Sequence, residues 1–271
     1  MSVNDITLSG GMRAALVNLQ LSAMLQARTT ERLATGLRVN SPIDDAAAYF
    51  AAQDHRSQAN DLAALKDAMG EAIQTVKAAD DGVKAITSLI QQAKGLVASA
   101  RSATTTDRAT LATQFNALLT QIDQLAGDAG YKGTNLLAAS STLSVTFNTA
   151  GSSTLTITGF DASTTGLSVA GAANAWAADA DIQVASDALD AALKTLRTNA
   201  ASLSSNNGII SSRQDFTSSL IQTLSDGADG LTMADTNEES ANMVTLQTRQ
   251  QISIGAMSLS NQASQAILKL F

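Results

Sequence analysis

Cysteine is absent from the 271 residues, and there is one proline, one histidine, six phenylalanines, two tyrosines and one tryptophan. Without Cys there can be no disulfide framework, thiolate zinc site or Cys nucleophile, and the single His55 excludes any site that needs two imidazoles. So few aromatic groups argue against a large ligand or cofactor cavity, which is usually lined by bulky apolar and aromatic side chains. Basic residues are also short: 17 Lys and Arg face 24 Asp and Glu, a net charge of -7. That is the wrong sign for binding nucleic acid. The longest apolar run, Ala46 to Ala52, falls far below the roughly 18 residues of a membrane span. The first basic residue is Arg13, so no cleaved secretory signal is expected. There is no HExxH, no phosphate-binding GxxxxGK[ST] and no EF-hand loop. Neither a cofactor nor a metal site nor an enzyme is expected.

Alanine dominates what remains, with 50 positions. It has the best helix propensity and lets backbones approach closely, so the composition predicts helix packed on helix. The strongest pattern is a heptad seam. Leu62, Met69, Val76, Val83, Ile90 and Val97 fall seven apart, and Leu65, Ala72, Ala79, Ile86, Ala93 and Ala100 follow each by three. A helix of this kind needs a partner of similar length. Ile182, Leu189, Leu196, Leu203, Ile210 and Leu224 keep the same spacing, broken by Thr217, and are expected to pack along the first seam. A shorter helix from about Asp107 to Leu125 presents Leu111, Phe115, Leu118 and Ile122 as a third member.

Between Ser140 and Ser168, 15 of 29 residues are Ser or Thr. Leu143, Val145 and Phe147 alternate with hydroxyl residues, as do Leu155 and Ile157 after a turn through Asn148 to Gly151. This predicts a β-hairpin around 143–158, the alternative being a flexible Ser/Thr linker. Ser41, Pro42 and Asp44 read as a capped helix start, Thr236 with Glu239 as a capping box, and Gly227 and Gly230 as breakers. Hinges are therefore expected near 36–42 and 227–236. Both ends carry apolar stripes that cannot bury themselves: Leu8, Met12, Ala15, Leu19 and Ala23 near the start, and Ile252, Ala256, Leu259, Ala263, Ala266 and Leu270 near the end. Past Ser240 the only charges are Arg249 and Lys269. Such segments are expected to order on assembly.

Other features have two readings. His55 could sense pH or simply pack; Asp44 with Asp45 and Asp80 with Asp81 could ligate a metal or supply helix-start and surface charge. Trp176 is expected to anchor the returning chain. The Ser/Thr hairpin could carry O-linked sugar, although no Asn-x-Ser/Thr sequon occurs.

Glu31 to Ala48, ERLATGLRVNSPIDDAAA, resembles the amino-terminal signature of bacterial flagellins, which reads much like ERLSSGLRINSAKDDAAG. Ser57, Gln58 and Gly82 follow in the family's order, and Tyr131 to Leu137 is similar to its FNGxxLL turn. Ala234 to Met243, Thr248 to Ile254, Asn261 with Gln262 and the final ILKLF are similar to the family's carboxyl terminus. The resemblance covers about the first 135 and last 90 residues, and the wording around Arg213 and Asn237 is similar to alphaproteobacterial members.

The resemblance implies a mainly α fold, a long antiparallel coiled-coil bundle with a small β-hairpin insert. It implies a discontinuous inner layer, D0, from 1–41 and 231–271, and an outer layer, D1, from 42–230; many members carry large domains after the hairpin, but only about twenty residues, Phe160 to Asp179, stand there in this chain, so no large further domain is expected. In D0 it implies assembly contacts through Leu8, Met12, Leu19, Ile252, Ala256, Leu259, Ala263 and Leu270. The heptad seams read above supply the expected D1 core: Leu62, Met69, Val76, Val83, Ile86, Ile90, Val97, Leu189, Leu196, Leu203 and Ile210. The implied role is a structural subunit that polymerises with itself into the flagellar filament for motility, secreted by type III export, with an export chaperone, cap and junction proteins as partners. Where immune-recognised members have LQRVRELA, this chain has Ile90 to Val97, IQQAKGLV, so weak or no Toll-like receptor recognition is expected. The alternatives are a hook-filament junction protein and a secreted helical receptor-binding protein.

Overall fold

The structure, a computed structural model, describes residues 10–268. The elements in order are α1 (Gly10–Thr35), α2 (Ala46–Ser102), α3 (Thr105–Asp128), β1 (Thr142–Thr146), β2 (Thr154–Thr158), a short 3-10 turn (Ala173–Trp176), α4 (Asp179–Thr232) and α5 (Thr236–Leu268). They form two compact units. One is Gln58–Gln222; the other comprises the described residues of Met1–Ser57 and Thr223–Phe271.

In the central unit every residue of the α2 seam from Leu62 to Ala100 is buried except Leu65, which is half-buried. On α4, Ile182, Leu189, Leu196, Leu203 and Ile210 are buried, and so is the polar Thr217. The two helices run antiparallel: Arg101 donates to Gln183, Lys94 pairs with Asp190, and Gln214 donates to the Lys66 carbonyl at 3.2 Å. Large residues repeat every seven along α2, with Ala at most of the intervening layers, which lets neighbouring backbones approach. The third helix starts at Thr104, whose hydroxyl accepts from the Asp107 amide. It buries Ala112, Phe115, Leu119, Ile122 and Ala126, while Leu111 and Leu118 are half-buried at the flank. The inward face is thus turned slightly from the expected stripe, because small Ala112 and Ala126 admit the closest approach.

The Ser/Thr segment is a hairpin and not a loose linker. Leu143 lies opposite Ile157 and Val145 opposite Leu155, giving one apolar face, and three hydroxyl pairs, Thr142 with Thr158, Ser144 with Thr156 and Thr146 with Thr154, form the other. An isolated two-stranded ribbon is marginal in water. Burial of Val145 and Ile157 in the central core and the Arg213 guanidinium 5.3 Å from the Phe147 ring centroid hold it down. Before it, Tyr131 and Lys132 both engage Glu71, at 3.0 and 2.8 Å, and the Lys132 and Tyr131 hydrogen bonds hold the Glu71 carboxyl below its ordinary range. Gly82 is needed where α2 passes this turn: a Cβ there would come within 2.7 Å of both Ala129 and Leu137. After the hairpin, Asn174, Ala175 and Trp176 take left-handed backbone, with φ of 47°, 49° and 60°. Such residues cost on the order of 1 kcal/mol each or more. Full burial of the Trp176 indole, 4.9 Å from Phe115, is the compensation, and it anchors the chain as it enters α4.

Several local expectations are corrected. Ser41 and Pro42 belong to a turn before α2, and the helix is capped at Asp45, whose carboxylate accepts from the Ala48 amide at 3.0 Å. Pro42 has no helical amide to replace there, so its placement reflects the turn. Gly227 and Gly230 lie inside α4, which continues to Thr232; flanking Ala228 and Thr232 are buried, and that packing outweighs the low helix propensity of glycine. The cap of α5 is Asp235, accepting from the Asn237 and Glu238 amides at 2.8 and 3.2 Å, and Glu239 is drawn elsewhere.

Replacing Val83 or Ile86 by Asp is expected to cost about 3–5 kcal/mol, because each puts an unpaired charge among apolar partners. Lys84→Ala, on the exposed side with only surface ion pairs to Asp80 and Asp81, is expected to change stability by less than about 1 kcal/mol. Urea unfolding of the three variants checks this, and equal losses would refute the seam.

Candidate assembly surface

The terminal unit is built on α1 and α5, which pack side by side. Their least exposed residues recur at spacings of three and four: Met12, Ala15, Leu19, Ser22, Gln26, Thr29 and Leu33 on one helix, Glu239, Met243, Leu246, Gln250, Ser253, Met257 and Ser260 on the other. Half of these are polar. Apolar side chains meanwhile point to solvent: Leu16, Val17, Leu21, Met24 and Leu25 on α1, and Val244, Ile252, Ile254 and Leu259 on α5 are all exposed. In an ordinary solvated helix the apolar stripe faces the protein. Here a weak seam lies inside, and a row of large hydrophobes outside.

Of the terminal residues that the sequence marks for assembly, Met12 and Leu19 are half-buried, while Ile252, Ala256, Leu259 and Ala263 are exposed. Leu8 and Leu270 lie outside the described residues. The carboxyl stripe is therefore not the face that α1 covers.

What fixes the pair is a polar joint at its base. Arg32 donates to Glu239 at 2.6 Å, and the Glu239 side chain is only 8% exposed, so this pair works in a region of reduced dielectric. Gly36 (φ 69°) ends α1, its amide donating to the Arg32 carbonyl and its carbonyl accepting from Ala234. Arg38 and Val39 donate their amides to the Thr232 carbonyl, and the buried Thr232 hydroxyl accepts from Arg56, which also pairs with Asp229. Asn40 donates to Glu31, and the Asp44 carboxylate accepts from the Ser41 hydroxyl and amide and the Asn40 amide. The Ser41 bonds, chiefly, hold the Asp44 carboxyl below its ordinary range, with Arg28 adding a smaller charge effect. Nearly every polar residue from Glu31 to Asp45 thus closes a bond within this joint. Sequence reading marked the stretch as a signature but missed the roles; an Arg and a Glu 207 residues apart carry no local signal of pairing.

Asp44, Asp45, Asp80 and Asp81 are engaged in caps, turns and ion pairs, and among the described residues no group of three or more His, Asp or Glu is placed to hold a metal. His55 is half-buried against Gly227, its Nδ1 having no partner among the described residues. Among those residues, too, no helix is long and apolar enough to cross a membrane.

Residues 8–142 match the family model of the bacterial flagellin N-terminal helical region, and residues 186–271 that of the C-terminal helical region. Flagellin FljM and Flagellin FljO of Caulobacter vibrioides are each 30% identical over 274 residues, with all of both chains covered. The chain belongs to the bacterial flagellins. A flagellin of Brucella melitensis is 30% identical over 254 residues, covering 90% of each chain, and flagellin A of Rhizobium meliloti is 46% identical over 87 residues, 31% of this chain and 21% of its own. Among solved structures, a Bacillus cereus flagellin aligns with a TM-score of 0.49 and 17% identity over 55% of this chain and 88% of that one. The type is alphaproteobacterial, and this flagellin is a structural subunit of the flagellar filament.

Two outcomes follow for the joint. Glu239→Ala leaves Arg32 without its partner and is expected to weaken the terminal pair by about 1.5–3 kcal/mol, seen as faster amide exchange in α1 and α5 with residues 83–97 unchanged. The Asp44 carboxyl is expected to titrate below the ordinary value of about 3.9 in a carbon NMR titration. Because its folded pKa is depressed, its contribution is complete above that ordinary value and is lost as pH falls through the folded one.

Proposed function

We propose that the terminal α1 and α5 pair forms the inner layer D0 of the filament, from 1–41 and 231–271, and that 42–230 forms the outer layer D1. The observation that carries this is the inverted terminal pair, with polar residues in its seam and Leu21, Met24, Val244, Ile252 and Leu259 on its outside. Exposed apolar rows of this length are costly in a lasting monomer and are relieved when a second copy covers them. Ile252, Ala256, Leu259 and Ala263 supply subunit contacts, and Leu8 and Leu270 join them.

On this reading the chain has no catalytic role and partners itself in a helical homopolymer. It leaves the cell through flagellar type III export with a chaperone, passes the junction and is added beneath the cap, as its flagellin relationship suggests. Exposed Gln92 and Gly95 replace the family arginine and glutamate on α2, which supports weak or absent Toll-like receptor recognition.

Truncation after Asn242 tests the assignment. It removes the outward α5 residues and leaves the buried seam from Leu62 to Val97 intact, so the expected product is a soluble, largely helical monomer that forms no filaments. Circular dichroism and electron microscopy read both properties. Normal filaments from the truncated chain would overturn the D0 assignment.

A further inference from the structure

Along one side of the α1 and α5 pair runs a cleft of about 290 Å³, floored by Leu21, Leu25, Leu246 and Ile252 and flanked by Asn18 and Arg249. A second hollow of about 320 Å³ continues it toward the joint, sharing Leu25, Leu246 and Arg249 and reaching Arg28 and Arg32. The cations differ in state. Arg28 lies 3.6 Å from Asp44, and Arg32 is bound to Glu239. Arg249 is exposed, has no ion-pair partner among the described residues, and is the only charge between Glu239 and Leu268. A lone cation beside an apolar floor suits an apolar segment that carries one acid.

The chain contains such a segment. Asp5 is the only acidic residue before Glu31, with Val3, Ile6 and Leu8 around it, and this stretch lies outside the described residues. We propose that in the filament the segment Val3 to Leu8 of one copy docks in the cleft of a second copy, Asp5 pairing with Arg249 and the apolar side chains covering Leu21, Leu25 and Ile252. The inference rests on the filament-subunit reading and deepens it.

Reach favours a second copy over the same chain. Arg249 and Ser22 both line the cleft. At 1.5 Å per helical residue, Ser22 is about 18 Å along α1 from Gly10. Five residues from Gly10 back to Asp5 span at most about 17–18 Å. A chain reaching its own Arg249 would have to reverse direction and run extended back along α1, whereas a neighbour's segment enters the cleft without that reversal.

The test is a charge exchange in the full chain. Asp5→Arg and Arg249→Asp, each alone, set like charges against each other and are expected to raise the concentration needed for polymerisation by about tenfold or more, with helicity unchanged by circular dichroism. The double variant should polymerise like the wild type. An equimolar mixture of the two single variants should also do so, because alternating copies then place an Arg against an Asp at every contact. Either single variant assembling at wild-type concentration would overturn the proposal, as would a double variant that is not restored. Rescue by the double variant but not by the mixture would mean pairing within one chain and would overturn the second-copy assignment. A wild-type chain that never polymerises would overturn the filament reading and this inference together, an outcome separable from all the others.

Discussion

The antiparallel contact between α2 and α4 in the central unit is the constraint on which the rest of that unit depends. Its period alternates Met69, Val76, Val83 and Ile90 with Ala72, Ala79 and Ala93, all of them buried. Small residues draw backbones together, and the large ones then fill the remaining space to the density of a protein interior. Two helices alone leave a side of such a seam wet. Helix α3, the buried Leu136 and Leu137, the hairpin's apolar face and Trp176 cover it from different directions, and all belong to one continuous core. This explains why three consecutive left-handed residues are tolerated at 174–176: the indole they position closes that core against Phe115.

The terminal unit follows the opposite rule. Its polar interactions are concentrated at the base, where Arg32 meets Glu239, the Thr232 carbonyl accepts two amides, and Asp44 gathers the turn that precedes α2. Further along, the seam between α1 and α5 contains Ser22, Gln26, Gln250 and Ser253, which contribute little hydrophobic stabilisation. A pair anchored at one end and weakly zipped beyond it can be held in register while its outward apolar side chains stay available to other copies.

Much of this was legible in the chain. Heptad spacing marked the long seams, because a buried helix face repeats regularly whatever its partner is, and alternation around Leu143 and Ile157 marked the hairpin because strand faces alternate. The glycines at 227 and 230 misled, since packing around Ala228 and Thr232 outweighs propensity; likewise Asp45 and Asp235, rather than Ser41 and Thr236, cap their helices. The long-range bonds of the joint could not be read, because Arg32 with Glu239, Arg38 with Thr232 and Arg56 with Asp229 are brought together only when distant helices meet.

By itself the sequence determined which segments are helical, which faces are apolar and that the ends differ from the middle, since these depend on local period and composition. Tertiary structure alone decided which face of α5 meets α1. Both sides of that helix carry apolar residues, and the side turned toward α1 is the one with Glu239, Met243, Leu246 and Gln250, Glu239 meeting Arg32 at 2.6 Å. No local sequence signal marks such a pair, and each charge taken from water costs desolvation that close pairing in the folded state must offset. With that side turned inward, Ile252 and Leu259 fall on the exposed side, because residues of one helix face recur every three to four positions.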